Sequence, residues 1–228
     1  MKLPRLLPLS LLLLIMCSPT DQKKSSITFS VSLSKDLIET AQDGRLLLLL
    51  ATNNKTEPRF QINDGLTTQL VFGVDVEGMQ PGQEVVFDET AFGFPVRSIR
   101  DIPKGDYYVQ ALINRYETFT LKTGQTVKLP PDKGEGQQWN RKPGNFYSKP
   151  QKISIDPAVK STIQLQLDQE IPKIEEPQDT KYVKHIKIDS KLLSEFYGVP
   201  MQLVAHVLLP EGFDEHPNAK YPLMVYHA

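Results

Sequence analysis

Four histidines, one tryptophan and one cysteine are the residues of this 228-residue chain best suited to chemistry, and their spacing limits what they can do. His185, His206, His216 and His227 stand ten or more positions apart, with no i, i+4 pair and no cysteine beside them. A metal centre written locally into a sequence needs closely spaced ligands, so no metal is expected. His185 and His206 fall inside strand patterns, where a half-buried or surface role is expected rather than a catalytic one. No serine sits in a G-x-S-x-G elbow, so the strand-to-helix turn that exposes a nucleophilic serine is not encoded. The stretch PPDKGEGQQWNRKPGNFYSKPQ, Pro130 to Gln151, holds Trp139, with Arg141, Phe146 and Tyr147 close by. An exposed ring beside amides and a guanidinium can stack on a sugar and bond its hydroxyls, which makes Trp139, Arg141 and Tyr147 a candidate ligand platform. The same composition also describes a surface loop pinned by its own buried aromatics. Asp75, Glu77, Asp132 and Glu135 carry calcium-ligand chemistry but not the spacing of a calcium loop, and solvated turns account for them.

The elements that must hold these residues read as β-strands from Ser25 to about Asp168. ITFSVSLS, Ile27 to Ser34, alternates apolar and polar positions; so does STIQLQLD, Ser161 to Asp168, which sets Ile163, Leu165 and Leu167 against Thr162, Gln164 and Gln166. RLLLLLAT, Arg45 to Thr52, is a continuous apolar run between turn residues and predicts a central strand. Gln69 to Val76, Glu84 to Asp88, Asp106 to Ile113 and Tyr116 to Leu121 are further strand candidates. Pro103-Lys104-Gly105 predicts a tight turn, after which Tyr107, Val109, Ala111 and Ile113 share one face. Short strands between Gly, Pro and Asn turns predict a mainly β fold, an immunoglobulin-like β-sandwich over residues 25–168. Eighteen prolines against thirteen glycines fit that punctuation.

Residues 1–20 read as a signal peptide, because Lys2 and Arg5 precede the short apolar run Leu6 to Cys17. Bilayer spanning needs about twenty apolar residues, so export is expected. Cys17 is the lone cysteine, which leaves the body without disulfide staples. The segment Leu14-Ile15-Met16-Cys17 resembles the lipobox of bacterial lipoproteins, with Met16 where that family carries Gly, Ala or Ser. The resemblance implies lipidation at Cys17; an incidental cysteine in a discarded signal is the other reading. The expected location is exported: periplasmic, outer-membrane lipoprotein or secreted. A net charge of −1 offers no positive field for a phosphate backbone, so no nucleic acid is expected, and membrane contact only through a lipid anchor.

QEIPKIEEPQDT, Gln169 to Thr180, has no period of two or 3.6 and predicts a linker over 169–180. Beyond it YVKHIKI, Tyr182 to Ile188, and MQLVAHVLLP, Met201 to Pro210, predict strands joined by an irregular loop over Asp189 to Pro200. In the second strand Met201, Leu203, Ala205, Val207 and Leu209 share a face. Tyr221 to Tyr226 predicts an apolar strand. The order Pro-x-Gly-aromatic, acidic loop, Lys-Tyr-Pro, apolar strand and histidine, Pro210 to His227, resembles the entry to the catalytic domain of secreted esterases of the α/β-hydrolase fold. Asp106 to Gln151 likewise resembles the leading β-domain of large bacterial esterase-like proteins. The resemblance implies that 181–228 is a truncated start of a hydrolase domain and that His227 opens its oxyanion loop, with Ala228 where glycine is usual. It implies a non-catalytic front portion of an exported ester hydrolase, inactive alone, with an ester or glycan substrate belonging to the parent enzyme and no cofactor. The alternative is a self-contained envelope module that binds glycan through the Trp139 loop.

Overall fold

The computed structural model describes residues 27–132 and 136–226. Cys17, Glu135 and His227 lie outside the described residues. In chain order the strands are β1 (Ile27–Leu33), β2 (Gln42–Ala51), β3 (Leu70–Met79), β4 (Glu84–Phe87), β5 (Phe92–Phe94), β6 (Gly105–Arg115), β7 (Glu117–Thr120), β8 (Thr126–Leu129), β9 (Phe146–Tyr147), β10 (Gln151–Ile155), β11 (Ser161–Leu167) and β12 (Gln169–Glu170). They are followed by β13 (Val183–Asp189), helix α1 (Lys191–Tyr197) and β14 (Gln202–Leu208). The fold is mainly β, as the punctuated alternation of the sequence implies.

Two sheets build the body. β1 lies between β11, which it pairs in parallel, and β4, which it pairs antiparallel. The larger sheet runs β12-β9-β6-β2-β3-β5, with β10 added to β6. One apolar cluster joins them: Phe29, Val31 and Leu33 of β1 and Leu165 and Leu167 of β11 meet Leu46, Leu48 and Leu50 of β2 and Val109, Ala111 and Ile113 of β6. Each buried Val, Leu, Ile or Phe side chain among them contributes about 1.5–3 kcal/mol relative to exposure. Tyr107 closes the end of the core, and its hydroxyl donates to the Pro103 carbonyl across the tight turn at 2.9 Å.

The unbroken leucine run of β2 now has its reason. Leu46, Leu48 and Leu50 face the smaller sheet, while Leu49 packs on the opposite side with Leu112 and Ile171, flanked by Leu47, Trp139 and Tyr147. A strand covered on both faces has no use for alternation.

Three expectations need correction. The predicted linker does not start at Gln169: Gln169 and Glu170 pair with β9, and the Ile171 side chain is buried against Leu49 and Leu112. Pro172 follows, has no N–H to offer a ladder, and ends the pairing. The loop expected over Asp189 to Pro200 holds a helix instead. Ser190 Oγ accepts from the Leu193 N–H, and Gly198 closes the helix at φ 72° with its N–H bonded to the Ser194 carbonyl. Gly198 also presses on the body, since a Cβ there would stand 2.8 Å from the Thr120 carbonyl oxygen. Finally, Tyr221 to Tyr226 forms no strand and its side chains are exposed. An extended run becomes a strand only by pairing its backbone, and nothing in the described structure pairs with this one.

Contacts at α1 hold the second unit, β13, α1 and β14, to the body, among them an ion pair between Lys122 and Glu195 at 3.5 Å. The hairpin β7–β8 reaches out to α1: the Lys122 N–H donates to the Phe196 carbonyl at 2.8 Å, and Phe119 meets the Tyr197 ring edge-on at 6.0 Å. The segment after Pro172 runs back along β13.

Candidate functional site

The Trp139 loop folds onto the outer face of the larger sheet. Tyr147, in β9, stands opposite Leu112 of β6. Asn145 fixes the loop, its side-chain amide donating to the Trp139 carbonyl at 2.8 Å and its Oδ1 accepting the Arg115 N–H at 3.0 Å. Trp139 is half-buried beside Leu49, Leu112 and Ile171. The Arg59 guanidinium lies 4.1 Å from the centre of the Tyr147 ring and 4.5 Å from that of Phe60, and exposed Arg141 lies 4.7 Å from Phe60. Arg59 is held by Glu57 Oε2 at 2.9 Å and donates to the Asn140 carbonyl at 3.1 Å. Buried Gln110 ties the same patch together, donating to Glu57 Oε2 and to the Ser148 carbonyl while accepting the Arg59 N–H. The fold thus gathers Trp139, Arg141 and Tyr147 in one region. Its own cations occupy aromatic faces that a sugar would need.

A second arrangement joins residues that sequence spacing kept apart. A cleft of about 1090 Å³ opens between the body and the β13–β14 hairpin, with Arg115, Lys142, Glu170, Asp179, His185 and His206 among its lining. The hairpin register sets His185 directly opposite His206, so both project from the same face. Their ring centres are 4.7 Å apart, with the planes at 83°. Asp179 comes from the extended segment; its Oδ1 accepts the His185 backbone N–H at 2.9 Å and lies 3.2 Å from Nδ1 of the same residue. Glu176 binds Lys187 on that hairpin face, so the extended segment is tied down at two points.

Local fields follow from these bonds. The His185 backbone N–H, more than any other contact, holds the Asp179 carboxyl below its usual range. On the opposite wall burial pulls the Arg115 guanidinium below its usual value, against Glu170 and Glu117. Arg115 is held by Gln42 Oε1 at 2.6 Å and the Gly144 carbonyl at 2.9 Å, and its guanidinium lies 4.5 Å from the centre of the Phe146 ring. The wall is charged and hydrogen-bonded; the hairpin face carries two imidazoles. Among the described residues no group of three His, Cys, Asp or Glu side chains is placed to hold a metal ion. Sequence reasoning gave His185 and His206 no shared role, and the only signal that could have paired them is the strand register.

Away from the cleft the hairpin shows the reverse polarity. Ile186, Ile188 and Leu203 lie on the other face and are exposed, as are Tyr182 and Ala205. Tyr221 and Pro222 lie in extended, exposed chain. No protein-family model, curated protein or solved structure matches this chain.

Proposed function

We propose that this chain is the non-catalytic front portion of an exported esterase-like protein, in which an immunoglobulin-like β-sandwich carries and orients a hydrolase sheet begun by β13 and β14. The observation that carries the proposal is the outward apolar face of that hairpin. A self-contained module turns the apolar face of a hairpin toward its own core, because burying a large aliphatic side chain is worth about 1.5–3 kcal/mol. Here the face with His185, Lys187 and His206, which also carries Val204, meets the cleft, and Ile186, Ile188 and Leu203 on the other face meet solvent. That polarity suits a sheet whose far side is covered by helices of a larger domain. The parallel pairing of β1 with β11 and the core shared by two sheets support the sandwich part of the proposal. Lys-Tyr-Pro, at residues 220–222, supports the hydrolase part.

The chain supplies no serine elbow, so the chemistry belongs to the parent and the role here is positioning. Export through residues 1–20 and anchoring at Cys17 complete the proposal. Among the described residues no helix is long and apolar enough to cross a membrane. The reading frame downstream of codon 228 is the direct test: a G-x-S-x-G elbow followed by an acid and a histidine is expected, and their absence overturns the esterase assignment. Cys17→Ala tests the anchor, with release from membranes as the expected result and unchanged fractionation as the refuting one. A self-contained glycan module draws less support, because Arg59 covers the Tyr147 ring.

A further inference from the structure

We propose that His185 and His206 form a binding site for a borderline divalent transition-metal ion such as Zn²⁺ or Cu²⁺, with Asp179 as the carboxylate that orients His185. The site is independent of the esterase proposal, since it uses only the hairpin and the extended segment beside it.

Three observations converge on it. The first is register: antiparallel partners directly opposite each other bring their Cβ atoms within about 4.5–5.5 Å, so two imidazoles on one face can reach a common point. The second is separation. Two imidazoles bound to one ion at about 2.0–2.1 Å, at bond angles near 90–110°, place their ring centres roughly 4.5–5.2 Å apart. The rings here stand 4.7 Å apart, which asks for rotation of the rings but not for movement of the strands. The third is the carboxylate. Asp179 Oδ1 lies 3.2 Å from His185 Nδ1 and is fixed independently by the His185 backbone N–H at 2.9 Å. A carboxylate on one ring nitrogen selects the tautomer that leaves the other nitrogen's lone pair free, as in the carboxylate–histidine–metal arrangement of known metal sites. A neutral or cationic surface histidine pair serving only to pack needs no such orienting group.

The ligand set also defines the class of ion. Two imidazole nitrogens suit Zn²⁺, Cu²⁺ or Ni²⁺ and are poor partners for Ca²⁺ or Mg²⁺, which take oxygen. With no third protein ligand among the described residues, the remaining positions fall to water or to a small ligand in the cleft. The ion is therefore exchangeable, and an open position on it is available to a carboxylate or hydroxyl group entering the 1090 Å³ cleft. Lys187, the nearest cation on the same strand face, is already neutralised by Glu176.

The test is a titration of the untagged 228-residue chain with Zn²⁺ at neutral pH, followed by histidine ring signals in NMR and by calorimetry. Saturation at one ion per chain, with the His185 and His206 signals moving together, is expected. His185→Gln and His206→Gln, which keep side-chain bulk and hydrogen bonding, should each weaken binding at least tenfold, and Asp179→Asn about tenfold. His216→Gln should leave it unchanged. Backbone spectra of the Gln variants report whether the hairpin still forms. A Kd weaker than ~1 mM, or the same affinity in the His185→Gln/His206→Gln double variant, overturns the site and leaves the two rings as a packing pair.

Discussion

The body and the hairpin unit are built from the same kinds of residue, and they treat apolar side chains in opposite ways. In the body Leu46, Leu48, Leu49 and Leu50 are fully buried. In the second unit Leu203 is 52% exposed and Ile188, directly opposite it in a regular ladder, is 54% exposed. Pairing alone does not make a core. A strand becomes stable structure when a second layer lies over its apolar face, and among the described residues only the body has that layer.

The largest expected effect that sharpens this comparison is Leu48→Ala. Its side chain lies wholly inside the cluster shared by the two sheets, so the loss should be about 3–4 kcal/mol, read as a lower denaturant midpoint with unchanged slope. Trp139→Ala should cost less, about 1–2 kcal/mol, because the ring is half-buried against the outer cluster. A loss of glycan binding without loss of stability would instead restore the ligand-platform role. The acid limb of stability comes next. Asp43 accepts the Gly78 N–H at 2.7 Å and pairs with Lys128 at 3.0 Å, and these contacts lower its carboxyl pKa, the Gly78 bond first. A depressed folded value means a contribution that is present above about pH 4 and lost as pH falls through the folded pKa. Asp43→Asn should flatten this part of the profile, and an unchanged acid limb would remove Asp43 from it. The smallest effect belongs to the second unit: Leu203→Ala should shift the midpoint by less than about 0.5 kcal/mol. A shortened chain ending before Lys181 should likewise keep the body's midpoint while gaining solubility, since it removes an exposed apolar face. If Leu203→Ala cost as much as Leu48→Ala, the contrast between the units would be broken.

How much of this was legible in the sequence depended on element length and on distance along the chain. β1, β2, β6 and β11 are long enough to show alternation or a continuous apolar run, and they stand where Ile27, Leu46, Val109 and Leu165 predicted. β5, β9 and β12 have two or three residues each, too few to display any period. β5 and β9 exist because the longer β3 and β6 offer them backbone partners, and β12 because β9 in turn does. The helix α1 was missed although Ser190 and Gly198 mark its ends, since its seven residues carry no buried stripe. The apolar run at Tyr221 to Tyr226 differs in the other direction, having strand composition but no strand partner among the described residues. Trp139, Arg141 and Tyr147 were legible as a group, whereas the arginine that covers Tyr147 comes from residue 59. His185 and His206 meet only through the register of two strands, which no local spacing encodes.

The parallel pairing of β1 with β11 has a mechanical consequence. Seven residues of each strand lie in register, from Ile27 beside Ser161 to Leu33 beside Leu167. Tension applied through the segment before Ile27 and the segment after Ile171 pulls these strands along their length in opposite directions. Every rung of the ladder is then loaded at once, and the body yields only when the strands slide past each other as a unit. In the antiparallel β13–β14 hairpin the outer ends, Val183 and Leu208, are partners, so the same tension opens the rungs one after another from that end. In a single-molecule stretching trace the hairpin should therefore extend first and at low force, with the body following in one abrupt step at higher force. For a protein tethered at one end and pulled from the other, the hairpin is a compliant spring in series with a rigid link.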